Sequence, residues 1–181
     1  HLQTLFNLGF RRVSLGIQDF DRKVQFVINR MQSFEQVKLV TDQAREIGYT
    51  SINYDLIYGL PLQTTGGLEE TVKKVISLLP DRIAFYNYAH VPWVKPGQRR
   101  YSEEDLPSAE AKQQLYELGR RLFTETGYEE IGMDHFALKT DGLYRAQQSG
   151  KLHRNFMGYT TQHTGMLIGL GVSSISDAGI A

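Results

Sequence analysis

The chain has 181 residues, 41% of them hydrophobic and 22% charged, and its 20 basic residues balance 20 acidic ones. That composition suits one soluble globular unit with a sizeable core, and it gives no broad electrostatic case for nucleic acid or an anionic membrane. The absence of cysteine excludes disulfides and any thiolate-held zinc or iron–sulfur site built from these residues, and the apolar runs are too short to span a bilayer.

Residues 1–8 place Leu2, Leu5, Phe6 and Leu8 at helical spacing, and Gly9 fits the position just past a helix end. Residues 10–17 read as a strand. Asp21 is placed to cap a short helix carrying Val24, Val27 and Ile28. Ser33, with Gln36 three positions on, has the form of a capping box. The helix it opens puts Val37, Val40, Ala44 and Ile47 on one stripe and ends at Gly48.

A second strand, 49–57, contains Ser51-Ile-Asn-Tyr-Asp-Leu-Ile57, a β-branched and aromatic run expected to be buried on both faces. Helix 67–79 follows, stopped by Pro80, and then strand 82–89. A Pro-rich, charged loop leads to Ser108, a helix with Leu115, Leu118 and Leu122, a stop at Gly127 and a fourth strand at 128–132. Beyond 133 the periodicity weakens into short pieces, glycines and an apolar Met166–Val172 run.

Strand starts about 33–46 residues apart, alternating with helices, predict an α/β fold with parallel strands and right-handed crossovers. Ligands then gather at the carboxyl ends of the strands, which nominates Gln18-Asp19, Asp55 with Gly59, and Ala89-His90. Asp55 is either a structural cap or a carboxylate awaiting a ligand, and Asp19 or Asp21 a helix cap. His90 and His135 are each either satisfied structural residues or acid–base groups. Histidines 90, 135, 153 and 163 have no zinc-ligand spacing, and Gly169-Leu-Gly171 is too short for a dinucleotide fingerprint.

Several stretches together resemble the radical S-adenosylmethionine family of oxygen-independent coproporphyrinogen III oxidases (dehydrogenases). They are Gly16-Ile-Gln-Asp-Phe20, Asn29-Arg30, Asp55-Leu-Ile-Tyr-Gly-Leu-Pro61, Phe85-Tyr-Asn-Tyr-Ala-His90, Ile131-Gly-Met-Asp-His-Phe-Ala137, His153-Arg-Asn-Phe156 and Gly158-Tyr-Thr-Thr161. The haem-chaperone branch of the family shares the Asp-Leu-Ile-Tyr-Gly-Leu-Pro stretch, and it typically has other residues at Asp19 and Asp134-His135 and lacks His153-Arg-Asn. A cluster-free interaction module is a further alternative.

The resemblance implies a partial (β/α) barrel, with residues 1–181 forming about its strands four to six and following elaborations and no second complete domain. It also implies S-adenosylmethionine and a 4Fe–4S cluster as cofactors. In that chemistry a 5′-deoxyadenosyl radical takes hydrogen from propionates of coproporphyrinogen III, which become the vinyl groups of protoporphyrinogen IX. By residue match, Ile175 is expected to contact the cleaved S-adenosylmethionine, and Gln18, Arg30, Asp55 and Ala89 to surround a second one. Arg154, Arg99 and Arg100 are candidate binders of substrate carboxylates.

The cysteine loop of the family, its upstream Gly-rich segment and its C-terminal domain are not in this sequence. The chain, beginning at His1 within a helical pattern, is therefore expected to be an internal fragment, inactive alone. The partners implied are coproporphyrinogen III and an electron donor such as a flavodoxin-type protein, with neither nucleic acid nor membrane, in the cytoplasm.

Overall fold

The structure, a computed structural model, describes residues 1–155, 158–172 and 174–178; Phe156 of the stretches above lies outside these. Helix α1 (Leu2–Asn7) ends where Gly9 turns the chain at φ 101°. That turn lets the Gly9 and Phe10 N–H groups reach the Phe6 and Leu5 carbonyls at 3.0 and 3.1 Å. Strand β1 (Arg12–Gln18) is followed by α2 (Arg22–Val27) and α3 (Phe34–Ile47). Then come β2 (Ser51–Tyr58), α4 (Thr65–Ser77) and β3 (Arg82–Asn87).

The caps explain where these helices start and stop. Asp21 accepts from the Lys23 and Val24 N–H groups, and Ser33 and Gln36 complete a reciprocal box at α3. Gly48 closes α3 in the left-handed region. Helix α4 begins earlier than its apolar spacing predicts, because Thr64 caps it by accepting from the Gly67 N–H. It also ends earlier, with Leu79 turned to φ 49° and 57% exposed, so that residue leaves the stripe formed by Leu68, Val72 and Val75.

Strands β1, β2 and β3 pair in parallel, as alternation with helices requires. Ile17, Ile52, Tyr54, Leu56, Ile83 and Phe85 project from one face and pack among helix residues that include Val37, Ala44, Leu68, Val72 and Leu115. Each such side chain removed fully from water contributes about 1.5–3 kcal/mol before entropy is counted. Helix α5 (Ala109–Glu125) joins this layer, after two 3₁₀ turns at Pro96–Arg100 and Glu103–Asp105.

After α5 the strand order departs from simple βα repetition. Strand β4 (Tyr128–Gly132) does not lie beside β3, because β5 (His135–Leu138) pairs antiparallel with both, giving the sheet order β1-β2-β3-β5-β4. The hairpin turns through Met133-Asp134, with φ 148° at Gly132 and 46° at Met133. Met-Asp is not one of the dipeptides that announce a tight hairpin, so the extra strand is weakly marked in sequence. Helix α6 (Gly142–Gln148) and a ribbon of β6 (His153–Asn155) and β7 (Gly158–Thr160) follow. Among the described residues no helix is long and apolar enough to cross a membrane.

Helix α5 carries Gly119 where it crosses Phe85. A Cβ built at Gly119 would lie 2.5 Å from a Phe85 ring carbon. Alanine is favoured over glycine in a helix interior by about 1 kcal/mol, yet here the added methyl must displace a fully buried ring. Gly119→Ala is expected to lower stability by about 1–3 kcal/mol, as overpacked cores do, read from the denaturant midpoint. A raised midpoint would mean that the ring moves aside at little cost.

Candidate functional site

The second face of the sheet is polar, and here the sequence expectation for β2 is corrected. Ile52, Tyr54 and Leu56 are fully buried on the helix side, but the alternate residues Asn53 and Asp55 are only partly covered. The strand is thus apolar on one face rather than on both, and Asp55 caps neither a loop nor a helix end. In-register pairing sets Gly16, Asp55, Ala84 and His135 in one row across β1, β2, β3 and β5. Because side chains alternate along a strand, the four members of this row share the polar face.

Asp55 is held by its neighbours on that face. Asn53 Nδ2 donates to Asp55 Oδ1 at 2.7 Å and to Ser14 Oγ at 2.6 Å, and the Ser14 hydroxyl donates to Asp55 Oδ2 at 3.3 Å. Burial pushes the Asp55 carboxyl above its usual range, while the Asn53 and Ser14 hydrogen bonds and the nearby Arg30 charge pull it back. Arg30 Nη2 donates to the Gly16 carbonyl at 2.8 Å. A Cβ at Gly16 would sit 2.7 Å from that nitrogen and 2.8 Å from Gln18 Nε2, so only glycine lets both side chains close over β1. Gln18, Arg30 and Asp55 therefore converge, offering an amide, a guanidinium and a carboxylate around one point.

A buried polar hub lies just beyond the strand ends. Asp19 is 0% exposed, and its carboxylate accepts from the Asp21 N–H at 2.7 Å, the Thr71 hydroxyl at 2.6 Å and Gln63 Nε2 at 2.7 Å. Gln63 Oε1 accepts in turn from the Gly59 and Leu60 N–H groups at 2.6 and 3.3 Å. Gln25 Nε2 donates to the Asp19 carbonyl at 2.8 Å. Desolvation pushes the Asp19 carboxyl up, and the three donors work against that. Asp19 thus serves the architecture, and Asp21 is the helix cap. Sequence reasoning missed Gln63 and Thr71; Thr71 falls on the buried stripe of Leu68, Val72 and Val75, which is a signal for it, whereas Gln63, followed by Thr-Thr-Gly-Gly, carries none.

The other sequence-nominated residues lie apart from the trio. Ala89 is exposed after β3, its carbonyl accepting from Gln98 Nε2 at 3.1 Å. Arg99 and Arg100 are exposed on the first 3₁₀ turn, where Arg99 Nε donates to the Pro92 carbonyl at 3.0 Å. Ile175 lines a groove of about 1080 Å³ with Arg12, Ser51 and Arg82, the first residues of the parallel strands and so at the opposite ends from Gln18. His90 packs against Tyr88 and Tyr101, and its Nδ1 lies 3.3 Å from the Tyr88 hydroxyl. Arg154 lies on β6, its guanidinium 5.6 Å from the Tyr159 ring centre.

Two cofactors can be tested against these residues. A cysteine-ligated cluster has no ligands in this chain, which contains no cysteine. S-adenosylmethionine fits the trio better: a carboxylate suits hydroxyls or an ammonium, and a guanidinium, brought over β1 by the side-chain-free Gly16, suits the methionyl carboxylate.

Residues 1–75 match the radical SAM superfamily. The chain is 49% identical over 179 residues to an oxygen-independent coproporphyrinogen III oxidase of Helicobacter pylori (strain ATCC 700392 / 26695), covering 99% of this chain and 39% of that protein. It is 48% identical over 171 residues to the one of Escherichia coli (strain K12), covering 94% and 37%. A solved structure of Escherichia coli coproporphyrinogen III oxidase, described as a radical SAM enzyme, matches with a TM-score of 0.92 at 48% identity, covering 98% of this chain and 41% of that one. The chain thus spans about two fifths of the length of these relatives, and its fold is a segment of the radical SAM α/β fold.

Asp55, with its carboxyl raised by burial, binds protons more readily in the folded chain than in the unfolded one. Its contribution to stability is therefore present below the ordinary carboxylate value and lost as pH rises through the raised folded value. Asp55→Asn is expected to flatten the stability profile in that window and to match the wild-type slope elsewhere, as read from denaturation midpoints across a pH series. An unchanged profile would show that the hydrogen bonds from Asn53 and Ser14 fully offset the burial. For the hub, Asp19→Ala leaves three buried donors without an acceptor and is expected to cost about 2–5 kcal/mol.

Proposed function

We propose that this radical SAM chain is part of an oxygen-independent coproporphyrinogen III oxidase, whose whole protein converts propionates of coproporphyrinogen III into vinyl groups to give protoporphyrinogen IX. The observation that carries the reading is near-half identity, held over almost the entire chain, to relatives of that name. The convergence of Gln18, Arg30 and Asp55 on the polar sheet face supports it. Each propionate so converted loses a hydrogen atom, an electron and carbon dioxide. S-adenosylmethionine, when bound and reduced, supplies the hydrogen-abstracting chemistry, and the protein supplies orientation and exclusion of side reactions.

The residues of this chain act by binding and orienting. Asp55, fixed by Asn53 and Ser14, is set to accept hydrogen bonds from ribose hydroxyls, and its desolvation strengthens them. Arg30, anchored on the Gly16 carbonyl, keeps the rest of its guanidinium fork for the methionyl carboxylate. Gln18 offers both donor and acceptor from one amide. In this reading Ala89 joins the trio around a second adenosylmethionine and Ile175 contacts the cleaved one, while Arg99 and Arg100 stand on the loop past β3 as candidates for substrate carboxylates. A flavodoxin-type electron donor and a cytoplasmic setting complete the proposal.

The test is an anaerobic assay of the full-length protein, reconstituted with its cluster and given reductant and S-adenosylmethionine. Vinyl product and carbon dioxide are expected, and a protein that binds haem yet never decarboxylates coproporphyrinogen overturns the reading. In the same protein Asp55→Ala is expected to lower turnover about 10- to 100-fold while leaving cluster absorbance intact, the loss of a charge-assisted hydrogen bond being about 1.5–3 kcal/mol.

A further inference from the structure

A line of stacked groups, separate from the Gln18–Arg30–Asp55 trio, leads from the sheet to an exposed cation. Tyr86 on β3 and Tyr159 on β7 both meet the His135 imidazole edge-on, with ring centres 5.7 and 5.2 Å apart and interplanar angles of 83° in each case. The Arg154 guanidinium then lies over the Tyr159 ring. Two glycines in the left-handed region make this packing possible. A Cβ at Gly158 would stand 3.1 Å from His135 Nε2, and one at Gly132 would stand 2.7 Å from the Tyr159 hydroxyl.

The charges along the line are unevenly placed. Burial lowers the His135 pKa, so its imidazole is held neutral, and its buried Nδ1 makes no hydrogen bond among the described residues. The acids whose fields reach the stack, Asp55 and Asp134, belong to β2 and to the β4–β5 turn, at the sheet end. Arg154 reaches the same turn from β6, through Met133. Among the described residues it has no ion-pair partner, and its side-chain acceptor is the Met133 sulfur at 2.6 Å, a weak one. A guanidinium backed by an aromatic ring and lacking a carboxylate partner is matched to a planar anion that accepts two parallel hydrogen bonds.

We propose that Arg154, presented by the Tyr86–His135–Tyr159 stack, binds a propionate carboxylate of the tetrapyrrole substrate, and that His135 acts as a positioning residue for it. This rests on the coproporphyrinogen reading above. Arg154 makes the contact; His135 fixes where Tyr159, and hence the guanidinium, stands.

The full-length, cluster-loaded protein tests this. Arg154→Gln is expected to raise the KM for coproporphyrinogen III about 10- to 100-fold, the loss of a charged hydrogen-bond pair, with kcat changed less than about threefold. Arg154→Lys is expected to fall between. His135→Phe, which keeps the ring stack, should stay near the wild-type KM, whereas His135→Ala should raise KM with little change in kcat, its fold checked by thermal melting.

A binding measurement separates this proposal from the reaction itself. In a fluorescence titration the wild type should prefer coproporphyrin III over its tetramethyl ester, and Arg154→Gln should lose most of that preference. An unchanged KM together with an unchanged acid-over-ester preference in Arg154→Gln overturns the proposal. A wild-type protein that yields no vinyl product overturns the functional reading instead, and the titration still decides the role of Arg154.

Discussion

The geometry of the polar face depends on one buried carboxylate. Asp19 is wholly enclosed, and an uncompensated charge there would be costly. Three donors from three places, the start of α2, helix α4 and the loop after β2, converge on it instead. They fasten the exit of β1 to the exit of β2. Gln18, the residue before Asp19, is held at φ 65°, a conformation that non-glycine residues seldom adopt without such support. The side chain of the Gln18–Arg30–Asp55 trio nearest the strand exit is therefore aimed by a network that does not itself face the trio.

Much of the scaffold was legible because its signals are local. Ser33 and Gln36 mark the start of α3, Gly48 its end, and Val37 with Ala44 its buried stripe, each through contacts within a few residues. The three parallel strands follow from alternation alone. Less legible was whatever depends on distant partners. Strand β5 escaped notice because it is short and reached through a turn with no distinctive dipeptide. The roles of Asp19 and Asp21 could not be separated in sequence, since both are acids before a helix; only the donors Thr71 and Gln63, more than forty positions away, decide it.

The site shows the same division. Gln18, Arg30 and Asp55 belong to two neighbouring strands and the helix–loop between them, and register brings them together. Ala89 and Ile175 were nominated by the same resemblance but sit at places that neighbouring-strand pairing does not join to the trio. Residue matching identifies positions without regard to distance, whereas strand pairing fixes distance. The parity of β2 illustrates this: the apolar count of Ser51–Tyr58 suggested burial on both sides, but alternation hides Tyr54 and Leu56 behind helices while leaving Asn53 and Asp55 to face the polar side.

The hairpin from β4 to β5 has a consequence for how the chain is routed. Up to that point α1, α3, α4 and α5 pack on the apolar side of the sheet and build an outer wall, while α2 sits at the strand ends with Val24 against Leu60 and Tyr88. Once β5 runs back against β3, the next segments are delivered to the other side: α6 packs on Ile131 and Ala137, and β6–β7 lies against His135. One reversal of strand direction thus converts the chain from a builder of wall into a builder of lining. Tyr159 and Arg154, which follow that reversal, lie outside the main core, which β4 and β5 complete with Tyr128 and Phe136, so changes at them leave that core intact.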